Sequence, residues 1–250
     1  MPIHYLRSLT APERTDIANR RLGRSLAFVA GAANSGGFLA VGQYTSHMSG
    51  IVASVADEAA LGAWTLALAG LASLVAFLSG AATSAILINW GRRRRVQSVY
   101  ASPLVLEACL LLVFGVMGSV LELHRVLFVP ATIVLLCFVM GLQNAVITKI
   151  SKAEIRTTHV TGLVTDIGIE LGKLVYWNVD TRPGDAVVCA DRAKLALLGS
   201  LLAMFVTGGV AGALAFKHIG FSASFPLAIV LLILAAVPVF DDWAQWRDAS

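Results

Sequence analysis

Six apolar runs alternate with short polar stretches along the chain, at about 25–44, 66–90, 103–123, 126–150, 195–216 and 221–240. A helix needs about 20 mostly apolar residues to cross the hydrocarbon core, so each run predicts a transmembrane helix. The first is the weakest. Gly31, Gly36, Gly37 and Gly42 weaken a helix there but let a neighbour approach, and the amide of Asn34, set mid-run, needs a partner. Such a span belongs inside a bundle, not against lipid. Two further stretches, 50–64 and 162–177, mix apolar residues with Asp57 and Glu58 in one and Asp166, Glu170 and Lys173 in the other. Each is short for a crossing and predicts either a re-entrant half-helix or a helix lying at the interface.

The pattern repeats. Thr45-Ser46-His47-Met48-Ser49-Gly50 returns as Thr157-Thr158-His159-Val160-Thr161-Gly162, with exchanges only among hydroxyl and among apolar residues. Upstream, Phe28-Val29-Ala30-Gly31-Ala32-Ala33-Asn34 matches Phe138-Val139-Met140-Gly141-Leu142-Gln143-Asn144, four of the pairs being identical. Downstream, Val52 pairs with Val164, Glu58 with Glu170 and Trp64 with Tyr176. Further on, Phe77-Leu78-Ser79-Gly80 matches Phe205-Val206-Thr207-Gly208, and Pro103 matches Pro226. Matches in the same order throughout predict an internal duplication. Gly80 with Ser84, and Gly208 with Gly212, have the small-xxx-small spacing of close helix packing.

Composition agrees with a bilayer. The chain is 57% hydrophobic and only 14% charged, with a mean hydropathy of +0.78, whereas soluble domains are about a quarter charged. The net charge of +4 lies beside apolar runs, so it reads as orientation and headgroup contact, not as nucleic-acid binding. If 50–64 and 162–177 do not cross, each half has three spans and the halves are inverted. Both termini, the loop of Arg92 to Arg95 and the 149–194 region then face the cytosol. Of the 19 Lys and Arg residues only Arg125 and Lys217 fall outside. If both stretches crossed, the four arginines would face away from the basic N-terminus. The expected architecture is therefore an all-α polytopic membrane protein. Its six transmembrane helices form two inverted three-span repeats, each with a short re-entrant or interfacial helix after its first span. It divides into a cytosolic basic arm (1–24), a first membrane repeat (25–123), a second (126–240) and a cytosolic tail (241–250) in which Trp243 and Trp246 sit near the interface. The first 24 residues lack the apolar core of a cleavable signal. Cys109, Cys137 and Cys189 are scattered and define neither a disulfide framework nor a metal site.

Candidate chemistry gathers at the repeated motif. Ser49 and Thr161 are placed to cap helices, and Gly50 and Gly162 to allow close backbone approach. A half-helix N-terminus turned into a membrane cavity offers free N–H groups to an anion or polar solute, and His47 and His159 could gate the path or relay protons. The plainer reading is that the motif only satisfies backbone groups where a span ends. Asn34 and Asn144 either bond between helices or line a path. Glu58 and Glu170 correspond, but Glu170 has Lys173 one turn on, so an ordinary ion pair accounts for it, while Glu58 has no such neighbour. Glu107, near the cytosolic end of its span, is expected to reach water or the arginines. No Walker loop, dinucleotide glycine fingerprint or His-Glu-x-x-His is present. No enzyme activity, cofactor or metal is expected. The favoured function is a permease or channel for a small solute or ion, with its path between the inverted halves. The alternative is a non-transporting scaffold or partner subunit, whose glycine faces suit helix association within or between chains, a homo-oligomer included.

At Phe38-Leu39, His47-Met48-Ser49-Gly50 and Gly141-Leu142-Gln143-Asn144-Ala145, followed by Arg156-Thr157-Thr158-His159-Val160-Thr161-Gly162, the chain resembles the YoaK-like family. The resemblance covers nearly everything after the basic arm. It implies a bacterial six-span inner-membrane protein, and it supplies no substrate. The family's first motif has Met-Thr-Gly-Asn where this chain has Met48-Ser49-Gly50-Ile51. A site lined by that asparagine would be altered here.

Overall fold

The computed structural model describes residues 15–121, 125–151, 159–177 and 187–249. Residues 1–14 of the expected arm, His124, Thr157 and Thr158 of the second motif, 178–186 of the polar loop and Ser250 lie outside the described residues. The described residues form α1 (Asp16–Val41), α2 (Met48–Ala60), α3 (Trp64–Arg94), α4 (Ala101–Leu121), α5 (Arg125–Ile150), α6 (Val160–Val175), α7 (Arg192–Ile219), a 3₁₀ turn (Gly220–Ala223) and α8 (Ser224–Ala249).

Helix ends follow local chemistry. Thr15 Oγ1 accepts from the Ala18 N–H at 3.3 Å and caps α1, with Asp16 in the favourable first turn. The helix therefore starts before residue 25 and carries Arg20, Arg21 and Arg24 of the expected arm on its first turns. Arg24 Nε donates to Ser200 Oγ at 2.9 Å and ties α1 to α7. At the other end Gly42 takes a left-handed conformation (φ 74°) and its N–H returns to the Phe38 carbonyl, which stops the helix before the motif. Arg92, Arg93 and Arg94 form the last turn of α3, where positive charge suits the helix dipole. The backbone N–H groups of Gln97 and Ser98 then donate to the Asp242 carboxylate at 2.6 and 2.8 Å, so the expected tail is held as the last turns of α8.

Four helical stretches among the described residues are long and apolar enough to cross a membrane: Trp64–Arg94, Ala101–Gly118, Val129–Ile150 and Arg192–Ala244, the last containing both α7 and α8. Their outward faces carry exposed aliphatics, among them Leu66, Leu68, Val75 and Ile86 on α3, Val206 and Val210 on α7, and Ile229 and Ile233 on α8. So much exposed aliphatic surface matches lipid. These helices mark an integral membrane protein. α1 is not among the four. Instead it is the sheltered helix, with Leu22, Leu26, Ala27, Val29 and Ala30 at 0% exposure.

α1 packs along α7, α3 along α5, and α4 along α8, while α2 lies on α3 and α6 on α7. The first long helix of each half thus pairs with the second long helix of the other half. Small residues set the approach. A Cβ at Gly31 would strike the Phe205 carbonyl oxygen, and one at Gly141 the corresponding Phe77 oxygen. Likewise Gly208 faces the Phe28 oxygen and Gly80 the Phe138 oxygen. At each position the glycine's own α-hydrogen points at the carbonyl, the arrangement of a Cα–H···O contact. Ser84 and Gly212 are buried on the same faces, Gly212 against the Ala32 backbone. The α4–α8 layer is closed by Phe114, which meets Phe216 and Phe221 at ring-centroid distances of 5.9 and 5.5 Å.

Candidate functional site

The short helices begin at the motif, two residues earlier than hydroxyl capping requires. The residues preceding α2 and α6 are His47 and His159, whose carbonyls accept from the Ile51 and Leu163 N–H groups at 3.1 Å. Ser49 and Thr161 lie inside the first turn, and neither helix start has a side-chain cap. The expected caps are therefore corrected: a hydroxyl on a residue already helical is past the position from which it can receive the free N–H groups. The glycine three residues after each histidine has a different use. A Cβ on Gly50 would collide with the His47 ring and one on Gly162 with the His159 ring, so glycine is what lets each imidazole fold onto its own helix start.

The two starts meet. A cavity of roughly 800 Å³ is lined by Asn34, Tyr44, Ser46, His47, Met48 and Ser49 of the first half and by Asn144, Thr148, His159, Val160 and Thr161 of the second, with Phe77 and Phe205 from α3 and α7. Asn34 is 8% exposed, and its Oδ1 accepts from the Ser46 N–H at 3.3 Å and the Ser46 hydroxyl at 2.9 Å. It thus both lines the space and pins the motif to α1. Of the residues singled out in the sequence, Asn34, His47, Ser49, Asn144, His159 and Thr161 share this cavity.

The others lie elsewhere. Gly50 and Glu58 line a second cavity of about 600 Å³ between α2, α3 and α5, and Tyr44 and His47 belong to both cavities. The Tyr44 ring stacks on Phe38 with centroids 4.5 Å apart. Glu170 faces neither cavity. Its Oε1 receives the Lys173 ammonium at 2.9 Å, its Oε2 accepts from the Asp191 N–H at 2.9 Å, and Lys194 stands 3.9 Å away. Asp191 in turn caps α7 by accepting from the Ala193 and Lys194 N–H groups. The Lys173 bond, with the Asp191 backbone donor behind it, holds the Glu170 carboxyl below its usual range, against the opposing effect of burial. The two N–H bonds to Asp191, that of Lys194 foremost, lower its carboxyl likewise. Glu170 therefore fastens α6 to the start of α7.

Glu107 also departs from expectation. It does not reach water or the arginines: it is fully buried beside Leu104, Ala108 and Leu111, and neither carboxyl oxygen has a hydrogen-bond partner among the described residues. Its place on the inward stripe of α4, one turn from Leu104 and Leu111, turns it away from both.

Sequence reasoning passed over Tyr44, Ser46, Thr148, Phe77 and Phe205 as lining residues. Phe77 and Phe205 had left a signal, since they correspond in the duplication. Thr148 left none, because a hydroxyl in an apolar run commonly bonds its own helix.

The architecture defines an integral membrane protein of α-helices whose repeated motifs face one internal space. Residues 22–237 match the family described as a protein of unknown function, DUF1275, and the chain belongs to that family. No curated protein and no solved structure matches it.

Proposed function

We propose that the chain is a permease or channel for a small polar solute or ion, and that the path runs through the central cavity between two inverted halves. The observation that carries this is the shared lining: His47 and His159, with Asn34 and Asn144, come from the two repeats to one space of roughly 800 Å³. A solute of a few heavy atoms fits such a volume. Six spans follow if α1, α3, α4, α5, α7 and α8 cross. α1, the least apolar, is then screened from lipid by its neighbours. The reciprocal contacts of Gly31 with Phe205, and of Gly141 with Phe77, support a two-fold relation, because exchanging the halves exchanges the contacts, and three spans in each half make that relation an inverted one. α2 and α6 are then re-entrant, entering from opposite faces, since their N-termini reach one cavity. This is the arrangement by which transporters place discontinuous helices around a midplane site. Cytosolic termini rest on the distribution of Lys and Arg. A bacterial inner-membrane location rests on the YoaK-like resemblance.

The scaffold alternative drew on the small-residue faces at Gly80 and Gly208. In the chain itself Gly80 packs against the Phe138 carbonyl and Gly208 against the Phe28 carbonyl, so these two positions serve contacts between its own halves. The reading is tested by flux into proteoliposomes. His47→Ala and His159→Ala are each expected to change solute flux at least several-fold while the unfolding temperature stays within a few degrees of the parent. Intact protein with no flux for any solute tested, or with flux indifferent to both changes, would defeat it.

A further inference from the structure

Both halves bring hydrogen-bond donors to the central cavity. Ser46 N–H can only donate, so the Asn34 oxygen must be the atom that faces it. The Asn34 –NH₂ is then turned the other way. No hydrogen bond among the described residues uses it, although the side chain is more than nine-tenths buried and lines the cavity. The Met48 N–H donates to the Ser46 carbonyl at 3.2 Å, but the first turns of α2 and α6 add further backbone N–H groups of the kind a helix leaves unbonded at its start, and both starts carry the positive end of the helix dipole. Ser49 and Thr161 contribute hydroxyls. Among the described residues the lining holds no Asp, Glu, Lys or Arg. Glu58 stands in the adjoining cavity, toward the far end of α2.

We infer that the central cavity binds a small oxyanion, either a free inorganic one or the carboxylate of a small organic solute, held by the Asn34 amide and the two helix starts. This rests on reading the cavity as a solute site. Neutral donors around an anion suit the interior of a membrane protein, because they solvate the charge without fixing a permanent cation beside lipid.

The test is calorimetric titration of the full chain in detergent with sodium nitrate, sulfate and acetate, against glycerol and ethylammonium, at an ionic strength fixed by a bulky sulfonate. At least one of the three anions is expected to bind saturably. Asn34→Asp decides the sign. The carboxylate still accepts from Ser46, so the motif stays pinned, but an acceptor replaces the donor that faces the cavity. Anion affinity should fall about tenfold or more, the worth of a hydrogen bond to a charged group. If Asn34→Asp does not fold, Thr161→Val removes a lining hydroxyl at constant shape and should weaken the same anion several-fold. Saturable binding of glycerol or ethylammonium and of none of the anions would overturn the oxyanion assignment while leaving the cavity a solute site. No binding by any probe would overturn both. Anion binding without flux in proteoliposomes would sink transport and keep the oxyanion site.

Discussion

At their starts α2 and α6 are close copies. His47 (φ −90°, ψ 70°) and His159 (φ −84°, ψ 59°) precede them in nearly the same backbone conformation, and each ring lies against the glycine three residues on. Toward their other ends they diverge. Glu58 lines an open cavity and has no ion pair among the described residues, whereas Glu170 is 2% exposed and bonded to Lys173 and to the start of α7. α2 turns sharply at Gly62 (φ 75°) and runs straight into α3, so the chain itself holds its far end close. α6 is followed by a long polar connection before α7, and side-chain bonds do the fastening there. The duplication is thus strict where the two helices face the shared cavity and loose where each meets its own half. Symmetry has been kept at the site and spent elsewhere on holding α6 in place.

The strict part is broken hardest at the helix crossings. Gly80→Leu and Gly208→Leu would each drive a side chain into a carbonyl of the opposite half. Overpacking against a backbone that cannot swing aside costs roughly 3 kcal/mol or more. Both variants are expected to lose monodisperse, folded protein in size-exclusion chromatography, and to similar extents if the halves are equivalent. Gly168→Leu, on α6 with nothing within 4 Å, is the control and should survive. A tolerated Gly80→Leu beside a lost Gly208→Leu would show that the crossings are not energetically alike.

Much of this was legible in the chain because membrane helices announce themselves by length and composition. The repeated pattern was legible because it recurs in the same order, and in the structure Gly31 and Gly141 prove to be positions where a Cβ would strike a carbonyl of the other half. What the sequence concealed was geometric. Small-xxx-small spacing does not say which helix fills the groove, and here each half fills the other's. Nor could Ser49 be separated from His47 as the residue before α2, since a hydroxyl-His-apolar-hydroxyl run offers two plausible starts two residues apart. Glu107 was misplaced for a related reason. Distance from the end of a span gives depth, but the side of the helix is decided by packing, and the packing of α4 on α8 turned it inward.

The loose part is sharpened by the two acids. Glu170→Gln should lower the unfolding temperature, because the amide leaves the Lys173 ammonium without its carboxylate and weakens the hold on the Asp191 N–H. Glu58→Gln should leave it nearly unchanged. The pH dependence follows from the same bonds. The folded Glu170 carboxyl is held below its unfolded value, so its contribution is complete above the ordinary carboxylate range and is lost as pH falls through the lower, folded value. Unfolding temperatures measured from pH 7 down to about 3 should therefore fall less steeply for Glu170→Gln than for the parent. Parallel curves would mean that Glu170 does not fasten α6.

The smallest change in stability is expected where the copies are most alike. Alanine at Gly50 or Gly162 improves helix propensity by about 1 kcal/mol, yet its methyl occupies the place of the imidazole. A histidine side chain can rotate away at modest cost, so gain and loss should nearly cancel in the unfolding temperature. The rings cannot stay where they are. Both line the central cavity, and His47 also borders the second one beside Tyr44. Gly50→Ala should therefore alter flux more than Gly162→Ala, since it disturbs a residue common to two spaces while its counterpart disturbs one. Equal effects on flux would mean that the boundary at His47 and Tyr44 is not on the path, and that the cavity beside Glu58 is a packing feature of α2 alone.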